Sequence, residues 1–223
     1  MKTNLLNTFF VAFIALSIVG CKNNQGHEAE VEEAKEAAVA EGEVMEYMAD
    51  TTASVIEWKG SKPTGTHTGT IKIAEGTFSA NDSVVESGSF KIDMVTIDVT
   101  DLEGEDKQNL EAHLKGTVEG KEGDFFNIME YPHATFEVTG IKEENDQKMM
   151  EGNLTIKDQT KNISFPIEIN RSGDEINITS EEFVIDRTKW NVNYGSKSVF
   201  DNLGDNFISD DIQLKLDIKA KKA

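Results

Sequence analysis

The side chains able to do chemistry are few and scattered. Histidines stand at His67, His113 and His133 in the larger part of the chain, basic groups at Lys59, Lys62, Arg187 and Lys189, and a single thiol at Cys21. A zinc centre needs three or four His, Cys or carboxylate ligands converging on one point. None of these histidines has HExxH spacing, and no second cysteine is available. There is no Gly-x-Ser-x-Gly elbow to present a nucleophilic serine and no glycine-rich loop to cradle phosphate. The adjacent acids Glu181-Glu182 and Asp210-Asp211 lie in a chain with 41 acidic and 22 basic residues, so their pairing carries no signal. The sequence therefore points away from an enzyme, with no catalytic residue, no metal and no cofactor; a metal-assisted reaction on His67 and His113 is the catalytic alternative. A net charge of −19 excludes partners that demand a basic face, nucleic acid above all, and simple adsorption to anionic lipid headgroups.

The elements that must position these groups are strands. From Ser54 onward the apolar residues recur with period two, the mark of strands with one dry and one wet face. Eight candidates follow: Ser54 to Lys59, Thr68 to Phe78, Val84 to Met94 continuing towards Val99, Ala134 to Ile141, Met149 to Ile156, Ile163 to Ile169, Glu175 to Ile185 and Ile212 to Ala220. Polar turns at Asn145-Asp146, Asp158-Gln159 and Ser172-Gly173-Asp174 make neighbours antiparallel. Pro166 has no N–H to give to a ladder and belongs near a sheet opening or a bulge. The expected inward set is Ile71, Ile73, Phe90, Ile92, Phe136, Val138, Leu154, Ile156, Ile163, Phe165, Ile167, Ile176, Ile178, Leu214 and Leu216, part of it lining a ligand and part plain core. Alternation does not say what fills the dry side. An eight-stranded barrel can be just filled by side chains or just wide enough for one ligand, and two packed sheets would give the same pattern. A structural or adhesion domain with a filled core and no ligand stays open on these grounds.

One stretch departs from the strand pattern. Leu110 and Leu114 lie four apart on a short helix, sharing a face with His113 close by. A glycine-rich acidic gap then leads to Phe125 and Phe126. Two adjacent phenylalanines in such a gap cover something apolar, so the segment reads either as a lid and corner leading into the strand at Ala134 or as rings that plug the barrel end as core. Lys59, His67, His113 and Arg187 are the candidates for a polar mouth that meets a headgroup. The competing role for Arg187 is a structural pair with a carboxylate such as Asp186 or Asp93. Trp190 and Tyr194 read as corner packing.

The order His113-Leu114, Asp124-Phe125-Phe126 and Tyr131-Pro132 with Ala134 and Phe136 resembles the YceI-like family of polyisoprenoid-binding domains. So do Trp58-Lys59-Gly60 with Lys62, His67 and Gly69, then Gly88 to Met94, Gly152 to Ile156 with Thr160-Lys161, and Asp186 to Asn191 with Tyr194-Gly195-Ser196. The resemblance covers roughly Thr52 to Ala220. The link Gly116 to Asp124 is longer than the family usually has. The resemblance implies an all-β fold, an elongated eight-stranded antiparallel lipocalin-like barrel with one or two short helices. It implies enclosure of a long amphiphile, such as a polyprenyl chain or isoprenoid quinone, and allows a homodimer. The physics is compatible, since an apolar chain gains about 25 cal/mol per Å² on burial, less the costs of association.

The N-terminus carries a different signal. Lys2 and the apolar run Leu5 to Val19 read as a secretory signal peptide, residues 1–20. Leu16-Ser17-Ile18-Val19-Gly20-Cys21 resembles a bacterial lipobox, which implies that Cys21 becomes an acylated N-terminus. A lone thiol in a secreted chain cannot pair internally, and several acyl chains anchor firmly where one does not. Lys22 in place of aspartate favours the outer membrane over the inner, facing the periplasm or the surface. Residues 22–50 hold nine acids against two lysines and read as a solvated acidic tether, which leaves the lipid-binding barrel to residues 51–220.

Overall fold

The computed structural model describes residues 26–81 and 84–223. Signal peptide and Cys21 lie outside the described residues. In chain order the strands are β1 (His27–Glu28), β2 (Glu30–Glu33), β3 (Met45–Ala49), β4 (Val55–Lys62), β5 (Gly65–Asn81) and β6 (Val84–Val99). The helix α1 (Gly104–Lys115) follows, then β7 (His133–Glu144), β8 (Gln147–Ile156), β9 (Gln159–Ser172), β10 (Glu175–Ser180), β11 (Phe183–Asp186), one 3-10 turn over Arg187–Trp190, and β12 (Asp211–Lys222).

The sheet closes on itself. Antiparallel pairing runs unbroken from β4 through β5, β6, β7, β8, β9 and β10 to β12, and β12 returns to β4. Two staves are interrupted. Glu181-Glu182 breaks the expected strand Glu175 to Ile185 into β10 and β11, both paired to β12. The wall position of β4 is taken over at the far end by β3, which pairs with β5 and with β12. The result is the expected barrel of eight staves. Closure removes the exposed edges that an open sheet would present.

The segment expected to be a free tether is not free. From Gly26 to Ala49 it is laid against the barrel. Main-chain bonds join it to β11, β9 and β7 in turn, and the Glu86 carboxylate of β6 accepts from the Glu41 amide. The physical reason is legible afterwards. Ala29 and Val31 alternate with Glu28, Glu30 and Glu32, so one face is apolar; Ala29 is buried and Val31 packs against the core. The acids that should repel instead meet lysines: Glu33 pairs with Lys161 at 2.7 Å and Glu30 with Lys142 at 3.2 Å. Further along, Tyr47 is wholly buried, so the barrel begins at β3 and not at residue 51.

This belt also explains an anomaly of the alternation. Six consecutive residues of β9, Asn162 to Ile167, are buried on both faces. Asn162, Ser164 and Asn153 of β8 point outward yet lie under the belt. Buried amides must be satisfied, and they are: the Asn153 side chain accepts from the Lys35 amide at 3.0 Å and donates to the Lys35 carbonyl at 2.7 Å, while Asn162 donates to Asn153 and to Thr139. Pro166 sits where the second neighbour of β9 changes, after Ser164 paired to β2 and before Ile167 paired to β10.

Candidate functional site: an apolar cavity open at one end

Inside the barrel lies a cavity of about 510 Å³, within the range of small-molecule sites. All the expected inward residues line it except Val138, Ile167 and Ile176. Those three do point inward and are buried, but in the opposite half of the barrel, where they belong to a solid core. The floor between the halves is a stack of rings: Tyr47 on Phe78 at 5.4 Å, then Phe78 against Phe90 at 6.1 Å, with Phe90 facing the cavity. Higher up, Phe136 tilts against Phe165, and Phe165 stacks on Phe183 at 4.3 Å. The Phe136 ring lies directly over Gly152, where an added Cβ would come within 2.1 Å of it. The glycine is what lets the ring lie flat against the wall and leaves the space beyond it empty.

The mouth is built by α1, the link that follows it, the β4–β5 turn and the long loop from Asn191 to Asp210. Leu110, His113 and Leu114 on one side of α1 face the cavity. Gly116 ends the helix in the left-handed conformation (φ 69°), and its amide reaches the carbonyls of Ala112 and His113. The long link then folds back. The Phe126 and Ile128 amides donate to the carbonyls of Leu114 and Lys115, so the helix's last acceptors hold the two phenylalanines over the opening. Both Phe125 and Phe126 line the cavity, at the place expected of a lid.

The polar groups at the rim come in pairs. His113 Nε2 and Asp124 Oδ2 share a hydrogen bond of 2.7 Å, and the imidazole is wedged edge-on between Phe125 and Tyr194, with ring centroids 5.1 and 4.9 Å away. His67 Nδ1 and Asp101 Oδ2 are 2.9 Å apart. Burial works against the Asp101 charge, but the Thr68 amide and His67 hold its carboxyl below the usual range. Arg187 is buried and lines the cavity, yet its donors are turned to the protein. Nε, Nη1 and Nη2 donate to the carbonyls of Ser209, Val192 and Ile208, with Asp210 3.5 Å away. Burial pulls the guanidinium below its ordinary value, against the pull of Asp210 and Asp186. Arg187 thus fastens the Asn191–Asp210 loop across the mouth, and its carboxylate is Asp210, where Asp186 or Asp93 was expected.

Other expectations at the mouth divide. Lys59 does not line the cavity. It stands at an odd position of β4, whose even positions Ile56 and Trp58 do, so its side chain is on the wet face; Lys62 reaches the rim instead. Trp190 is core packing, as expected, its indole N–H donating to the Leu154 carbonyl at 2.9 Å. Tyr194 is not: it lines the cavity beside His113. Lining residues outside the expected set include two kinds besides Phe183 and Ile185, whose face changes where Glu181-Glu182 breaks the strand. Ile56, Trp58, Ile212 and Ile218 share the register of expected positions, and a stricter reading of the period would have included them. Phe207 and Ile208 come from a loop with no periodicity to reveal them. Among the described residues no group of three or more His, Cys, Asp or Glu is placed to hold a metal, and the two histidines engage separate carboxylates.

Comparison with known proteins agrees with this geometry. A family model described as the YceI-like domain matches residues 47–220, its start coinciding with the plug residue Tyr47. Protein YceI of Salmonella arizonae is 28% identical over 107 residues, 48% of this chain and 51% of that protein, so the match spans about half the length of such relatives. Among solved structures, Burkholderia cenocepacia BcnA superposes with a TM-score of 0.61 at 19% identity, covering 78% of this chain and 99% of that one. A polyisoprenoid-binding domain from Saccharophagus degradans, implicated in plant cell wall breakdown, gives 0.56 at 14% identity, covering 80% and 99%. At such identities the structures speak for the fold alone, and they repeat the closed barrel. With the family match spanning most of its length, the chain belongs to the YceI-like domain family.

Proposed function

We propose that this protein encloses a long apolar amphiphile, a polyisoprenoid, an isoprenoid quinone or a similar lipid, and performs no chemistry on it. The carrying observation is the hollow half of the barrel: an empty space of about 510 Å³ walled by Ile, Leu, Phe and Met, with charge only at its rim. Such a wall recovers burial free energy from a hydrocarbon chain at about 25 cal/mol per Å². It offers buried polar groups no role, since Arg187 is spent on carbonyls and each histidine on an aspartate. A headgroup would stay at the rim near His113, Tyr194 and Lys62. The protein would be held by an acylated Cys21 in the cell envelope, at the outer membrane. Detergent-free purification from the native host, followed by organic extraction and mass spectrometry, tests the binding reading. A stoichiometric amphiphile is expected; a clean extract, with no uptake of a prenyl probe by the delipidated protein, overturns it. Incorporation of labelled palmitate that is lost in Cys21→Ser tests the anchor separately.

A further inference from the structure

Among the described residues the barrel wall has a weak seam beside β9. β9 and β10 pair from Ile167–Ser180 to Ser172–Glu175, then separate; β11 continues along β12 and makes no ladder with β9. The gap is filled by the N-terminal segment. β1 runs parallel to β11 with His27 and Glu28 opposite Phe183 and Val184, and β2 runs antiparallel to β9 with Glu30 to Glu33 opposite Ser164 to Lys161. Immediately behind this patch stand Phe165 and Phe183, stacked across the gap at 4.3 Å, with Ile163 and Ile185 beside them, and all four line the cavity.

We infer that this gap between β9 and β11 is a side portal through which the apolar chain enters the barrel, and that residues 26–38 are its removable cover. The inference rests on the binding reading above. Three observations carry it. First, the cover is lightly held. It places only small side chains against the interior, Ala29 and Val31, where the neighbouring staves place Ile and Phe. Its ion pairs are at the surface, where each contributes little. Segments with little apolar burial open locally long before the whole molecule unfolds. Second, the end mouth is the stiffer entrance. Its loop is fastened by the buried Arg187, and its lid by the carbonyls of α1. Third, the cover lies outside residues 47–220 matched by the family model, while the eight staves lie within them or extend two residues beyond. Asn153 supplies the catch: its amide grips both the N–H and the carbonyl of Lys35. Opening swings out backbone and two small side chains, and lets the Phe165 and Phe183 rings part. Only four residues lie between Cys21 and Gly26, five Cα steps and so at most about 17 Å of extended chain. In the anchored form proposed above, the portal side is therefore held against the bilayer.

The test uses the full chain with Cys21→Ser, so that only an engineered pair can oxidise. Glu33→Cys with Lys161→Cys places the pair at directly opposed positions whose native side chains already touch. A dansyl-labelled geranylgeranyl chain is delivered from phosphatidylcholine vesicles. Oxidation is expected to slow loading at least tenfold, reduction to restore it, and the amount bound at equilibrium to stay the same. Equal loading rates in both redox states, with normal final binding, overturn the portal and leave the binding reading intact. No bound probe in either state overturns the binding reading and the portal with it. Hydrogen exchange on the unmodified protein gives an independent reading: amides of residues 27–33 must exchange far faster than those of Met150 to Leu154, and equal protection overturns the removable cover.

Discussion

The two halves of this barrel share their staves and their alternation, yet one is hollow and the other solid. On the mouth side Ile71, Ile73, Ile92, Phe136 and Leu154 end in empty space. On the far side Phe78, Ala80, Val85, Val138, Ile167 and Ile176 meet one another and Tyr47. The difference lies less in the residues of the staves than in what is brought to them. At the far end the wall is completed by β3, and Tyr47 arrives with it, wholly buried against Phe78. At the mouth end the cap is a helix and two loops whose rings lie across the opening and do not descend into it. Binding space in this fold is a region where no element delivers a filler.

That contrast can be broken by mutation. Phe78→Ala removes a ring packed on every side and is expected to cost about 3–5 kcal/mol. Phe90→Ala removes one with a face already on the void and should cost about half as much, because fewer contacts are lost. Urea unfolding of both variants measures the gap, and equal losses would mean that the cavity is closed in solution. The converse experiment adds volume. Val138→Phe overpacks the solid half and should cost about 1–3 kcal/mol. Ile92→Phe grows into the void, should cost less than about 1 kcal/mol, and should lower the amount of prenyl probe bound. If the enlarged Ile92 site binds the probe as well as the parent does, the hollow is not where the probe sits.

Much of this was legible beforehand, for identifiable reasons. Period two is a property of the stave itself, so Ile163, Phe165, Leu214 and Leu216 could be placed on the dry face from sequence. Which half each residue would occupy depends on register and on Tyr47, neither of which alternation encodes; the inward set was expected to divide between lining and core, but not that Val138, Ile167 and Ile176 would be the members in the solid half. Lys59 was misplaced by proximity to a motif, although Trp58 beside it already fixed its face. The belt was missed because nine acids suggested repulsion, and the five-residue pattern Glu28 to Glu32 is too short to outweigh composition. The lysines that neutralise it, Lys142 and Lys161, are more than a hundred residues away. Phe125 and Phe126 could be placed over an apolar surface because two phenylalanines in a polar gap need one, and both line the cavity; whether they cover it as a lid or plug it as core is not something their spacing encodes.

The rim should respond more weakly than either half. His113→Ala deletes the bond to Asp124 and the ring held between Phe125 and Tyr194. The group is partly exposed, so the expected loss is about 1 kcal/mol. The sharper readout is the probe: release should quicken as the lid loosens, with little change in unfolding. A large loss of stability without faster release would make His113 a core residue and not a part of the mouth.

The smallest effect concerns the acids where the belt meets the barrel. Burial, with the neighbouring carboxylates of Asp186, Glu28 and Asp210, pushes the Asp211 carboxyl above its ordinary value. A native state that holds a proton more tightly than the unfolded chain loses stability as pH rises. The loss begins near the unfolded carboxylate value, about 3.9, and is complete above the raised native one. Asp211→Asn should therefore melt at a slightly higher temperature than the parent at pH 7, and the gap should close towards pH 3, where both carry a neutral side chain. Since Glu28 belongs to the belt and Asp211 to β12, Glu28→Gln should give part of the same gain with the same pH dependence. If the gain in Asp211→Asn is unchanged at pH 3, it comes from packing, and the belt is not being pushed from beneath by charge.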